Sequence, residues 1–199
     1  LKCVLLASSA NVYGNLQGGL LNEFNPTYPA NDYAVSKLAM EYMAKIWAPR
    51  IPVVIARPFN YTGVGQSDSF LIPKIVSHFV HKRDTIELGN MDVWREFNDV
   101  RDVVRAYRKL IEAAPVGQTV NVCSSNLVSL RDALALASEL TGHQLKASVN
   151  PVFVRANEVL ELGGDTTLLK TFVPDWQPRP LRETLAWMIA AETNVNKAS

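Results

Sequence analysis

Leu5-Leu6-Ala7-Ser8-Ser9-Ala10-Asn11-Val12-Tyr13-Gly14, followed after a Gly/Asn/Pro-rich stretch by Tyr33-Ala34-Val35-Ser36-Lys37, is the part of the chain that decides the fold. Lys2 to Ala7 is a short, nearly all-apolar run, the mark of a strand buried on both faces of a parallel sheet. Ligands of open α/β sheets bind beyond the carboxyl ends of such strands, where Ser8 and Ser9 fall. Tyr33 and Lys37 are one helical turn apart, so their side chains share a face and reach the same small volume. A phenol is a poor acid or base at neutral pH, and an adjacent ammonium favours its ionised form. The pair is thus a tunable proton donor and acceptor, and a nearby serine hydroxyl would hold the same substrate oxygen. Tyr-x-x-x-Lys also fits an ordinary amphipathic helix, and taken alone the motif leaves both readings open.

Working outward, the 199 residues fit one domain or one and a half, and 48% hydrophobic content is ample for a core. A formal net charge of +1 gives no electrostatic case for nucleic acid or an anionic membrane as partner. No apolar run approaches a membrane span, and no signal peptide opens the sequence. Cys3 and Cys123 both lie in apolar runs, which implies buried thiols in a reducing, cytoplasmic setting with no metal spacing between them. His78 and His81 lack a third ligand and fit a solvated helix face, so no metal site is expected. The ten glycines include no G-x-x-G-x-x-G or G-x-G-x-x-G at a strand-to-helix turn.

Together these motifs resemble the extended short-chain dehydrogenase/reductase family, whose members act on nucleotide sugars. That family carries a Ser or Thr five residues before the Gly of V-Y-G, here Ser9 before Gly14, and Y-x-x-x-K about two dozen residues later. The resemblance implies Ser9, Tyr33 and Lys37 as catalytic residues and NAD or NADP as cofactor, with Ser8, Tyr33 and Lys37 on the cofactor side. The family's phosphate-binding turn precedes its Ser strand, so the chain is expected to be the carboxyl-terminal portion of a longer protein.

Further motifs follow in the family's order. Ile51 to Ala56 is a second buried-type strand running into Arg57-Pro58-Phe59-Asn60-Tyr61-Thr62-Gly63, which resembles R-x-x-N-x-x-G. There Asn60 would hold the sugar-nucleotide pyrophosphate and Pro58-Phe59 would lie against the nicotinamide; a turn shaped by Pro and Gly is the alternative. Lys74 falls where relatives present a Lys to the nucleotide, or is an ordinary surface lysine. Trp94-Arg95-Glu96-Phe97-Asn98-Asp99-Val100 resembles R-D-(F/W)-x-x-V-x-D, with Glu96 in place of the usual Asp; Arg95 inherits the contact to diphosphate or ribose. Phe153 to Asp165 resembles a signature of GDP-mannose 4,6-dehydratases and GDP-4-keto-6-deoxy-mannose reductases. In it Arg155 would pair with diphosphate and Glu158 with guanine, against the alternative of a salt-bridged pair on an exposed turn.

Dehydratases of this family carry acidic partners just after the Ser or Thr, where this chain has Ala10 and Asn11. The resemblance therefore implies ketone–alcohol exchange at C4 of a GDP-4-keto-6-deoxy-hexose, with Tyr33 protonating the oxygen. An NDP-sugar 4-epimerase is the nearest rival, GDP-mannose 4,6-dehydration is disfavoured, and a catalytically incomplete fragment is the alternative of another class.

The expected fold is α/β: the carboxyl-terminal part of a doubly wound, Rossmann-like parallel sheet plus a smaller α/β substrate lobe. Strands are expected near 2–7, 52–57 and 119–122, with helices 32–48 and 99–113 packed on them. Residues 1–66 and 92–124 would form the dinucleotide-binding part, and 67–91 and 125–199 the nucleotide-sugar lobe. Asn15 to Asn31 is expected as loop. Val35, Leu38, Ala39, Tyr42, Met43 and Ile46 give the 32–48 helix a broad apolar face, part for the sheet and part for a homodimer through the Tyr33–Trp47 helix.

Overall fold

The computed structural model describes residues 1–15, 17–154 and 159–198. In chain order its strands are β1 (Val4–Ala7), β2 (Gly19–Leu21), β3 (Val53–Pro58), β4 (Tyr61–Thr62), β5 (Thr85–Leu88) and β6 (Trp94–Arg95). There follow β7 (Asn98–Asp99), β8 (Thr119–Val122), β9 (Val128–Ser129), β10 (Lys146–Val149) and β11 (Glu161–Gly164). The helices are α1 (Asp32–Trp47), α2 (Leu71–Val80), α3 (Val100–Ala113), α4 (Leu130–Thr141), α5 (Thr167–Phe172) and α6 (Leu181–Ala198).

The three expected strands form a parallel sheet in the order β1-β3-β8, with Val4 opposite Val53 and Ile55 opposite Thr119. Strand alternation sorts their side chains onto two covered faces. Leu6, Val53 and Ile55 pack with Ala44 of α1 on one face. Leu5, Ala56, Val120 and Val122 pack with Val103, Ala106 and Leu110 of α3 on the other. Both helices fall where expected. Asn31 caps α1, accepting from the Ala34 N–H at 2.9 Å, and Asp99 caps α3, accepting from the Arg101 N–H at 2.8 Å.

A second core joins α2, α4 and α6 with β5 through Ile75, Phe79, Ile86, Ala133 and Leu185. Residues 166–176, expected in this lobe, pack instead on the parallel sheet: Leu169, Val173 and Trp176 join the α3-side core, and Trp176 Nε1 donates to Cys123 O at 2.9 Å.

Three further expectations need correction. Asn15–Asn31 is not all loop, because β2 pairs in parallel with β11 (Leu162 opposite Gly19) in the four-stranded order β2-β11-β6-β9. Three residues carry no periodicity of their own, so only this long-range pairing makes the strand. The buried side of α1 is Ala34, Glu41 and Ala44, while Val35, Tyr42, Met43 and Ile46 face outward at 51–75% exposure. Cys3 is only partly buried, whereas Cys123 is enclosed and burial pushes its thiol well up.

Candidate active site

Ser9 ends the extended run after β1 and caps the 3-10 turn Ala10–Tyr13, its Oγ accepting from the Asn11 N–H at 3.2 Å. That bond uses a lone pair and leaves the hydroxyl proton to donate. The turn closes at Gly14, whose φ of +68° and contact with Tyr28 suit no other residue: an added Cβ would lie 1.8 Å from Tyr28 O. The helix α1 packs against this turn.

At the start of α1, Lys37 Nζ donates to Ala7 O at 2.9 Å and lies 5.6 Å from the centroid of the Tyr33 ring. One ammonium thus ties the Tyr33 helix to the end of the Ser9 strand, with two N–H bonds left for another acceptor. Tyr33 itself is half exposed. Burial, then the Tyr61 and Tyr33 phenols, push the hydroxyl of Tyr107 on α3 up, so it stays a neutral donor.

Ser8 and Phe59 differ from expectation. Ser8 is buried, and its hydroxyl donates to Glu41 Oε1 at 2.5 Å, so any role toward cofactor falls to its backbone. Phe59 is 4% exposed, stacked on Tyr13 and packed with Leu21 and Cys123, so its ring is core. Pro58 is buried at the end of β3, while the Asn60 side chain is exposed.

Asn60 is held by its backbone: its carbonyl accepts from both Asn98 N and Asn98 Nδ2, at 2.9 and 3.0 Å. Asn98 in turn donates to Glu96, a fully buried carboxylate. Glu96 also accepts from the backbone N–H groups of Ser124, Ser125 and Gly164. Burial pushes the Glu96 carboxyl up against the pull of these donors. Arg95 lies next door, its guanidinium donating to the carbonyls of Trp94, Leu160 and Val159. Lys74 Nζ donates to Glu87 O at 2.7 Å and sits 4.8 Å above the Phe153 ring. Arg155 and Glu158 lie outside the described residues.

The sequence pattern missed the buried pair Glu41 and Arg57. Arg57 Nε and Nη2 donate to the two Glu41 oxygens at 2.9 and 2.6 Å, and Arg57 Nη1 donates to Tyr13 OH at 3.0 Å. Tyr13 OH then donates to Asn121 Oδ1 at 2.7 Å. Burial pulls the Arg57 guanidinium down, but the hydrogen bonds and charges of Glu41 and Tyr13 together outweigh it and keep the arginine charged. The available signal was two opposite charges at positions that otherwise face a core.

A cofactor ribose fits this donor set, since Lys37 retains N–H bonds and Tyr33 and Ser9 retain hydroxyl protons at the carboxyl end of β1. Among the described residues no three His, Cys, Asp or Glu side chains could hold a metal, and no helix is long and apolar enough to cross a membrane.

The chain is similar to known proteins. GDP-6-deoxy-D-talose 4-dehydrogenase of Aggregatibacter actinomycetemcomitans is 35% identical over 186 residues, covering 93% of this chain and 63% of its own length. GDP-6-deoxy-D-mannose reductase of Pseudomonas aeruginosa is 32% identical over 205 aligned positions, covering 90% of this chain and 67% of its own length. A crystal structure from Burkholderia cenocepacia J2315, provisionally named an epimerase, is 55% identical with a TM-score of 0.95, over 97% of this chain and 64% of that one. RMD from Pseudomonas aeruginosa, solved with NADPH, is 29% identical with a TM-score of 0.89, over 97% of this chain and 67% of that one. The chain therefore spans 63–67% of the length of these relatives. The model of the NAD dependent epimerase/dehydratase family matches residues 1–123, and with the Ser9, Tyr33 and Lys37 arrangement in hand, the chain belongs to that family.

Proposed function

We propose that the protein carrying this chain is an NAD(P)-dependent nucleotide-sugar oxidoreductase that reduces the C4 ketone of a GDP-4-keto-6-deoxy-hexose. The observation that carries the reading is the Lys37 ammonium, 5.6 Å from the Tyr33 ring and bonded at 2.9 Å to the carbonyl of Ala7, two residues before Ser9. That arrangement supports proton delivery to a carbonyl oxygen bound at the end of β1. Two relatives named for GDP-6-deoxy-hexose chemistry support the substrate class.

The bound dinucleotide supplies hydride. Tyr33 donates its phenolic proton to the C4 oxygen, converting the ketone to an alcohol. Ser9, whose lone pair is engaged by Asn11, donates its hydroxyl proton in a hydrogen bond that orients the same oxygen. Lys37 offers its remaining N–H bonds to the ribose hydroxyls, and its charge faces the phenolate left behind. The turn that follows Ser9 supports simple exchange over dehydration: Ala10 and Asn11 bring no acid or base to C5 or C6. On the nucleotide side, Asn60 and Arg95 are held through the Glu96–Asn98 bonds and the Val159–Leu160 carbonyls. Arg155 and Glu158 are the proposed diphosphate and guanine contacts, on motif grounds, and Lys74 a further contact to the nucleotide.

The test is incubation of the full-length protein with NADPH and the GDP-linked 4-keto sugar. Oxidation of one NADPH per ketone consumed is the expected result, with kcat lowered about 100-fold or more in Tyr33→Phe. Absence of NADPH oxidation contradicts reduction, and interconversion of C4 epimers when the GDP-linked 4-hydroxy sugar is supplied instead supports a 4-epimerase.

A further inference from the structure

Glu41 lies on α1 one turn past Lys37 and is 0% exposed, yet the chemistry above makes no use of it. Its Oε1 accepts from Ser8 Oγ at 2.5 Å and from Arg57 Nε at 2.9 Å, and its Oε2 accepts from Arg57 Nη2 at 2.6 Å. These three bonds join the helix bearing Tyr33 and Lys37, the strand end bearing Ser9, and the strand leading into Asn60. Through Arg57 Nη1 and the Tyr13 hydroxyl they extend to the Ser9-capped turn and to Asn121 of β8.

Holding α1 against the sheet does not require this pair. Well-packed apolar residues of similar volume are often as stabilising as a buried ion pair, because both charges lose their hydration. The other buried residues of α1, Ala34 and Ala44, are small, so apolar packing supplies few directional constraints on the helix. Charge-assisted bidentate bonds are directional and supply them. A displacement of about 1 Å at a reacting group is enough to lower a rate by about 100-fold.

We propose that Glu41 is a positioning residue: through Ser8 and Arg57 its carboxylate sets the register of Tyr33 and Lys37 against Ser9. The claim rests on the reductase reading above. Its test is the double variant Glu41→Leu/Arg57→Met in the full-length protein, which removes both charges and keeps the volume. The expected result is a Tm within a few degrees of wild type, kcat lower by about 10- to 100-fold, and KM for the nucleotide sugar changed less than about threefold. A folded double variant with wild-type kcat overturns the proposal, because the pair is then structural only.

Where the double variant does not fold, Ser8→Ala keeps the charge pair and removes one of its anchors. A several-fold fall in kcat at unchanged Tm supports the proposal, and unchanged kcat overturns it. A third readout is independent of turnover: the Cζ resonance of Tyr33 in tyrosine-labelled protein, assigned through Tyr33→Phe. It moves in the double variant if Glu41 positions Tyr33, and its constancy overturns the claim. Absence of turnover in the wild type counts against the reductase reading alone.

Discussion

At Gly14 the backbone turns from the Ser9 cap toward the catalytic helix with φ at +68° and the Tyr28 carbonyl in the space a side chain would fill. Gly14→Ala therefore meets both a forbidden dihedral and a backbone clash. It should cost more than about 3 kcal/mol, a fall in Tm of roughly 6–12 °C. Gly65 makes the comparison: its φ is +87° but nothing lies within 4 Å of an added Cβ, so Gly65→Ala should cost about 1–2 kcal/mol. Equal melting temperatures for the two variants would show that the Tyr28 contact is not what constrains the turn. Ser9, Tyr33 and Lys37 were legible in the sequence because order and spacing along the chain carry them. Ser8 and Phe59 were not, because a motif gives a position and no side-chain direction: Ser8 turns inward to Glu41 and Phe59 packs on Tyr13. Glu41 and Arg57 could have been found, since a buried charge in an apolar context requires a partner.

Among the elements, α3 is held at its start by Asp99, which is 1% exposed. Its carboxylate accepts from Arg101 N, Nε and Nη2 and from Thr184 Oγ1 of α6, so one side chain caps α3 and joins it to the last helix. Burial pushes this carboxyl up, but the Arg101 guanidinium and N–H and the Thr184 hydroxyl outweigh burial and hold it below its usual value. A lowered folded-state pKa gives stability that is complete above the unfolded value of roughly 4 and is lost as pH falls toward the folded one. Asp99→Asn should thus melt below wild type at pH 7, and the gap should close as pH drops below about 4. A gap equally wide at pH 3 would contradict the assignment. The long elements were legible from apolar runs and caps: β1, β3, β8, α1 and α3 fall where the sequence indicates. The strands β2 and β11 were hidden, because Gly19–Leu21 becomes a strand only by pairing with β11, and Glu161–Gly164 by pairing with β2 and β6 across the fold. On α1 the outward part of the apolar face was legible, while the buried side of Ala34, Glu41 and Ala44 was not, because small residues and a paired carboxylate carry no apolar period.

For the whole molecule, the outward stripe of α1 has consequences. Tyr42, Met43, Ile46 and Trp47 are 47–75% exposed on one helix. Exposed apolar area of this kind marks an interface. A dimer or larger assembly is the expected result by light scattering, shifted toward monomer by Ile46→Glu; a monodisperse monomer would contradict it. The doubly wound sheet and its separate lobe core were legible as a class, from βαβ order and buried-type strands. The seating of residues 166–176 on the sheet was not, since their apolar spacing fits either core. The central claim is that Ser9, Tyr33 and Lys37 serve net reduction at C4 of a GDP-linked 4-keto sugar. The most direct measurement supplies NADPH deuterated at the transferring position of the nicotinamide to the full-length protein and follows the label by mass spectrometry and NMR. One deuterium at C4 of the product alcohol is the expected result in wild type, with labelling slowed about 100-fold or more in Tyr33→Phe. A 4-keto sugar left unreduced, with the deuterium retained in the cofactor, would contradict it.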